Sequence, residues 1–201
     1  MPTKTYIPIQ TIQLNQNVGH LNPPTISAIA HWDDPALHVM VDFKYVKAET
    51  IGADESIDSA LAAMKVCSYH VLLVTDKEDN ILGLISAEDL LGEKPLKAIQ
   101  ERRIARVDVT VRMVMTPQAE MVAIDVENLR HAKVGHIVAT LHARKQHYAL
   151  AVKVEEMSKV QVVRGLFSLS LISKQLGEDV SSDVPEAHSI AELHHDVHLN
   201  D

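Results

Sequence analysis

The feature that most constrains this chain is a strand-to-helix junction written twice. Residues 83–92 read GLISAEDLLG and residues 165–177 read GLFSLSLISKQLG. Both begin Gly-Leu-apolar-Ser, and both set a short apolar run directly before a helical pattern. The first carries Glu88 and Asp89 behind its serine; the second has Ser170 and Leu171 at those offsets. Around each copy the order of elements recurs as strand, helix, strand, strand, helix. An internal repeat is therefore the organising feature of the chain.

In the first unit Val46 and Ile51 fall in a short extended segment, and Asp54 or Ser56 can cap the next helix. Ile57, Ala60, Leu61 and Met64 recur at helical spacing on one face. HVLLV (70–74) and ILGLIS (81–86) read as strands across the polar turn TDKEDN, and a new helix opens at Ala87. In the second unit Val122 and Ile124 sit in a strand, and Val134, Ile137, Val138 and Leu141 form the buried face of a long helix. Strands at 147–154 and 160–168 follow, then a helix closed by Gly177. Apolar lead-ins ending in Met40 and Met115 precede the two units. The four expected segments are an arm (1–35), a first repeat (36–98), a linker with a second repeat (99–177) and a tail (178–201). Pro8 makes the arm an edge strand or an extended segment.

Composition narrows the function classes. Apolar residues make up 46% of the 201 residues and aromatics only 3%, so the core is aliphatic. No run approaches the roughly 18 apolar residues of a membrane helix, and the start lacks a secretory pattern. With Cys67 as the single cysteine, an intrachain disulfide is impossible and a cytoplasmic setting is expected. Beyond Gly177 lie seven acidic residues and no Lys or Arg, so the tail carries most of the net charge of −8. The basic segment at 93–112 is too small for a nucleic-acid face, although it could meet a phosphate. There is no nucleophile elbow, P-loop, dinucleotide glycine pattern or zinc motif, so neither an enzyme nor a metal protein is expected. Asp33 and Asp34 read as a cap and turn. His194, His195 and His198, with Asp196, leave metal handling by the tail as a distant alternative.

The lead-ins, ADESIDSALAAM (53–64), HVLLVTDKEDNILGLISAEDLL (70–91) and VVRGLFSLSLI (162–172) together resemble the tandem cystathionine-β-synthase-type (CBS) repeat, or Bateman module. The resemblance covers roughly residues 36–177 and is closer in the first repeat. It implies an α/β (α+β) fold of two repeats related by a pseudo-two-fold axis, each a small sheet flanked by helices. It also implies an adenosine nucleotide (AMP, ADP or ATP) bound as ligand, not catalytic cofactor, in a cleft between repeats. The family signature Gly-apolar-apolar-Ser/Thr-x-x-Asp maps onto Gly83, Leu84, Ile85, Ser86, Ala87, Glu88 and Asp89. Ser86 would then hold phosphate and Asp89 the ribose hydroxyls, with Val71 and Leu72 at the base. Leu72 stands where the family usually has proline. A helix N-terminus after Ser86 offers backbone N–H groups to an anion, and Arg112, or Arg102, Arg103 or Arg106, can neutralise phosphate.

Ser-x-x-Asp is equally a capping box, in which both side chains only satisfy the first helical turn. Ser168 can cap in the second copy, but Leu171 cannot hold a ribose, so that motif reads as degenerate and one site at most is expected, at the first. The leading expectation is a stand-alone regulatory module; the rival is a ligand-free interaction scaffold. A homodimer is expected, as two modules in the family commonly stack into a disc, with Ile57, Ala60, Leu61, Met64, Leu169, Ile172 and Leu176 as candidate faces. The regulated protein partner is not named by the sequence, and no nucleic-acid or membrane partner is expected.

Overall fold

The computed structural model describes residues 29–67, 69–155 and 160–181. The expected arm up to residue 28 and the histidines of the tail lie outside the described residues. Among the described residues no helix is long and apolar enough to cross a membrane.

Each repeat is a β-α-β-β-α unit. The first comprises β2 (Thr50–Gly52), α1 (Ile57–Cys67), β3 (Val71–Thr75), β4 (Ile81–Ser86) and α2 (Ala87–Leu91). The second comprises β6 (Val122–Asp125), α5 (Val134–Arg144), β7 (Tyr148–Val154), β8 (Gln161–Ser168) and α6 (Leu169–Leu176). Helices α3 (Glu93–Arg102) and α4 (Val111–Val114) join them. In both units the helix carries a parallel crossover, β2 to β3 and β6 to β7, and a hairpin follows.

Local chemistry sets these elements. The Ser56 Oγ accepts from the Ser59 N–H at 3.0 Å and starts α1. Ile57, Ala60 and Met64 then bury one face of the helix against the sheet. In the β3–β4 turn, the Asp76 carboxylate accepts from the Glu78 and Asn80 N–H groups, an Asx-type clamp. Gly177 closes α6 in the left-handed conformation, φ 74°.

The lead-ins cross over. β1 (Val41–Asp42) pairs with β8 of the second repeat, while β5 (Thr116–Pro117) pairs with β4 of the first. The two four-stranded sheets therefore run β1-β8-β7-β6 and β2-β3-β4-β5, each completed by the lead-in of the other unit. This crossing explains why both junctions begin with glycine. A Cβ on Gly83 would stand 2.3 Å from the Thr116 carbonyl oxygen, and one on Gly165 would stand 2.6 Å from that of Val41. Met115 and Met40 lie over the same two positions. A two-pronged ion pair, Arg164 to Asp42 at 2.6 and 2.7 Å, fastens β1 to its adopted sheet.

Strand residues alternate between two interfaces. Leu72, Val74 and Ile85 face the helices of the first repeat, and Leu73 and Leu84 join Leu150, Val152 and Leu166 between the sheets. The described chain is thus α/β, with two four-stranded sheets and six α-helices.

A helix opens at Ala87 as expected, α2, and α3 follows it after Gly92. Two expectations are revised. Val46 lies outside any strand. The apolar residues offered for dimerisation are used within the chain: Ile57, Ala60, Met64, Leu169 and Ile172 are buried in the two cores, with Leu61 and Leu176 packed beside them. These faces are needed to cover the sheets. Val66, Leu91 and Leu96 are the large apolar side chains that α1, α2 and α3 leave exposed.

Candidate functional site

The first junction folds into a complete capping box. Ser86 Oγ accepts from the Asp89 N–H at 3.1 Å, and Asp89 Oδ2 accepts from the Ser86 N–H at 2.9 Å. The Ser86 hydroxyl also donates to Asp89 Oδ2, and Lys94 Nζ lies 2.5 Å from Asp89 Oδ1. The first backbone donor of α2, the Ala87 N–H, is taken by the His70 carbonyl. The N–H groups expected to receive a phosphate are thus largely engaged by the protein itself.

Tyr148 stands in front of this junction. Its phenol is pushed up by burial and by the charges of Glu88 and Asp89, the two acids of the junction. Around it, between Leu84, Thr116, Met121 and Leu150, remains a space of about 20 Å³. That is room for roughly one water molecule.

The second junction is built differently. Ser168 accepts no hydrogen bond from a backbone N–H of the helix that follows; its Oγ pairs instead with the side chain of Ser170 in that helix, Oγ to Oγ at 2.9 Å. The expectation that Ser168 is retained as a cap is therefore corrected. With leucine at the third helical position, no carboxylate returns to the Ser168 N–H, and the reciprocal box cannot form. The Leu169 N–H is held by the His147 carbonyl, as Ala87 is by His70.

An open cleft of about 290 Å³ lies beside this second junction. Ser168, Ser170, Leu171 and Lys174 line one part, and Tyr69, His70, Val71, Leu72 and Leu73 of the first repeat another. Phe43, Lys47 and Glu49, from the segment after β1, complete it with Val41, Leu166 and Tyr148. Its volume is at the lower edge of the ~300–1,000 Å³ typical of small-molecule sites. Neither Lys47 nor Lys174 makes an ion pair among the described residues.

The residues singled out in the sequence are therefore not gathered in one place. Val71 and Leu72 line the open cleft with Ser168 and Leu171, whereas Ser86 and Asp89 form the box behind Tyr148. Arg112 lies beside a separate depression with Asp54, to which its Nε is bonded at 3.1 Å. Lys94, Lys97 and Arg106 of the same basic segment pair with Asp89, Glu93 and Asp58. Leu171 is half-buried and borders the open cleft. Among the histidines, His136 accepts from the Lys133 N–H and His142 bonds the Val180 carbonyl, both structural roles. Asp33 meets Lys133, and Asp34 accepts from the His31 N–H in a turn. Phe43, Lys47, Tyr69, His70, Tyr148 and Lys174 had not been singled out.

No family model and no curated protein matches the chain. Solved structures do. A conserved protein from Pyrococcus horikoshii is 17% identical, with a TM-score of 0.50 over 71% of this chain and 92% of its own. A conserved CBS-domain protein from Thermoplasma acidophilum is 18% identical, with a TM-score of 0.50 over 72% of this chain and 74% of its own. CBSX2, solved in complex with AMP, is 16% identical, with a TM-score of 0.49 over 70% of this chain and 94% of its own. At such identities the likeness is one of fold: the chain has the architecture of a CBS-domain protein.

Proposed function

We propose that this protein is a regulatory module that binds an adenine nucleotide (AMP, ADP or ATP) in the open cleft between its repeats. The observation that carries the reading is the pairing of two lysines with an aromatic and aliphatic wall in one 290 Å³ space. Lys47 and Lys174 supply cationic donors for a phosphate. Phe43, Tyr69, Val71 and Leu72 offer an apolar surface for a planar base. Because Leu171 stands where the signature has its acid, affinity comes from base and phosphate and not from the ribose hydroxyls. Both repeats wall the cleft, so a bound nucleotide alters the contact between the sheets through Leu73, Leu166 and Tyr148. That change is the signal passed to a protein partner, and the module works as a homodimer.

Titration calorimetry with AMP, ADP and ATP tests this reading. The expected result is saturable binding of one nucleotide per chain, weakened about tenfold or more by Lys47→Ala with Lys174→Ala, equivalent to about 1.4 kcal/mol. Absence of binding at millimolar nucleotide overturns it. The rival reading, a ligand-free scaffold, draws on the engagement of Ser86 and Asp89 with each other and with Lys94 at the first junction; it gains if no nucleotide binds.

A further inference from the structure

One wall of the open cleft is not a regular element. Phe43, Lys47 and Glu49 belong to the connection between β1 and β2, residues 43–49. This connection starts on the second repeat and ends on the first. At its start the Phe43 N–H donates to the Arg164 carbonyl of β8 at 2.9 Å; at its end the Glu49 carbonyl accepts from the Leu73 N–H of β3 at 3.0 Å. The turn between them is organised by Asp42. Its carbonyl accepts from the Tyr45 and Val46 N–H groups at 3.0 and 3.1 Å, and its carboxylate accepts from the Lys44 N–H at 2.9 Å. The same carboxylate receives both prongs of Arg164. Neither Asp42 nor Arg164 lines the cleft, yet Phe43 follows Asp42 directly and Lys47 follows the last residue of the turn.

The first sheet has no equivalent. Pro117 pairs with Gly83 as Asp42 pairs with Gly165, and Leu82 precedes Gly83 as Arg164 precedes Gly165. Neither Pro117 nor Leu82 can enter an ion pair. A fastening that only completed a sheet would serve both lead-ins alike. It is found where the connection that follows walls the open cleft.

We infer that Asp42 and Arg164 are positioning residues for the open cleft, their ion pair fixing the turn that presents Phe43 and Lys47 to a ligand. The inference rests on the reading of that cleft as a nucleotide site. Lys44 lies over the Tyr45 ring, 5.4 Å from its centre, and Lys47 is the lysine of this connection that lines the cleft. A long, exposed side chain gives up conformational freedom when it holds a phosphate, and a fixed backbone beneath it reduces that loss.

AMP calorimetry and amide hydrogen exchange on the full chain test this, with folding checked by circular dichroism. Asp42→Asn is expected to bind AMP about tenfold more weakly than wild type. The loss is shared with Lys47: Lys47→Ala has no further effect in the Asp42→Asn background, whereas Lys174→Ala, on α6, weakens binding by the same factor in either. A pair that only stabilised the fold would give losses independent of both lysines. Without ligand, exchange in residues 43–49 rises in Asp42→Asn while exchange in β3 does not. If Asp42→Asn does not fold, Arg164→Lys, which keeps the charge and loses the fork, carries the same comparisons. Losses that are additive with Lys47→Ala, or unchanged exchange in residues 43–49, overturn the inference and leave the proposed function standing. A wild type that binds no AMP sinks the proposed function instead, and the exchange of residues 43–49 then decides whether the ion pair fixes the turn.

Discussion

Replacing Gly83 by alanine probes the crossing of the lead-in strands directly. The added methyl would stand 2.3 Å from the Thr116 carbonyl oxygen, while an ordinary carbon–oxygen contact needs about 3.3 Å. About 1 Å of movement is therefore required. The opposing atom is backbone, so no rotamer change relieves it. The pairing that must yield is short, only Gly83 with Pro117 and Leu84 with Thr116. Overpacking of this kind costs about 1–3 kcal/mol, and the upper part of that range is expected here. For a chain of this size it corresponds to a fall in Tm of roughly 2–4 °C per kcal/mol. Gly165→Ala, with its methyl 2.6 Å from the Val41 carbonyl oxygen and 2.8 Å from Met40 Sδ, should behave alike. Gly52→Ala is the control, since its methyl meets only Glu55 Cγ at 3.5 Å; a change within about 0.5 kcal/mol is expected. Urea denaturation of the three variants decides the matter. If Gly83→Ala is as stable as Gly52→Ala, the account of the glycine is wrong.

Two other perturbations follow from the contacts described. The Arg164 guanidinium beside Asp42 holds its carboxyl below the usual carboxylate range. The unfolded chain therefore takes up that proton first. The pair's stabilisation is complete well above the unfolded value, about pH 3.9, and disappears as pH falls through the native one. Asp42→Asn should lower stability at neutral pH by about 1–2 kcal/mol and flatten the acid limb; an unchanged acid limb would refute this. For Tyr148 the sign is opposite. The unfolded phenol ionises near pH 10 while the native one keeps its proton, so stability falls as pH rises beyond 10, and Tyr148→Phe should remove part of that fall in alkaline denaturation. Light scattering is expected to return the mass of a dimer at micromolar concentration; a monomer would refute the expected assembly.

The fold was legible because its signals are local. Alternation and helical spacing located β3, β4, α1 and α5, and the repeated order revealed two like units. The crossing of β1 and β5 was not, because nothing in a two-residue strand identifies its partner. The glycines recorded the crossing, but their meaning emerges only once the opposing carbonyl is located. The candidate site was half legible. Ser86 and Asp89 have the right types at the right spacing, yet spacing cannot separate a capping box from a ligand set. Tyr148 was a missed signal. Aligning the two repeats by their hairpins sets it opposite Val71, and the difference in side-chain volume could have been read from that pair. Lys47 and Lys174 had no such marker, since they are remote in sequence and meet only through the fold.

The crossed lead-ins also dictate when the molecule can finish folding. β1 lies near residue 41, but its partner in the ladder is Leu166, so the second sheet gains its outer strand only after nearly the whole described chain has left the ribosome. The first sheet closes sooner, because β5 follows β4 by about thirty residues. Until β8 arrives, β1 has an unpaired edge of its own, and a contact of such long sequence separation closes slowly. A nascent chain halted after the first repeat would therefore expose the Val41–Asp42 edge, whereas one released whole would hide it. Cut between α3 and α4, the two fragments would each lack one strand that only the other can supply, so neither should hold a complete sheet until they are mixed.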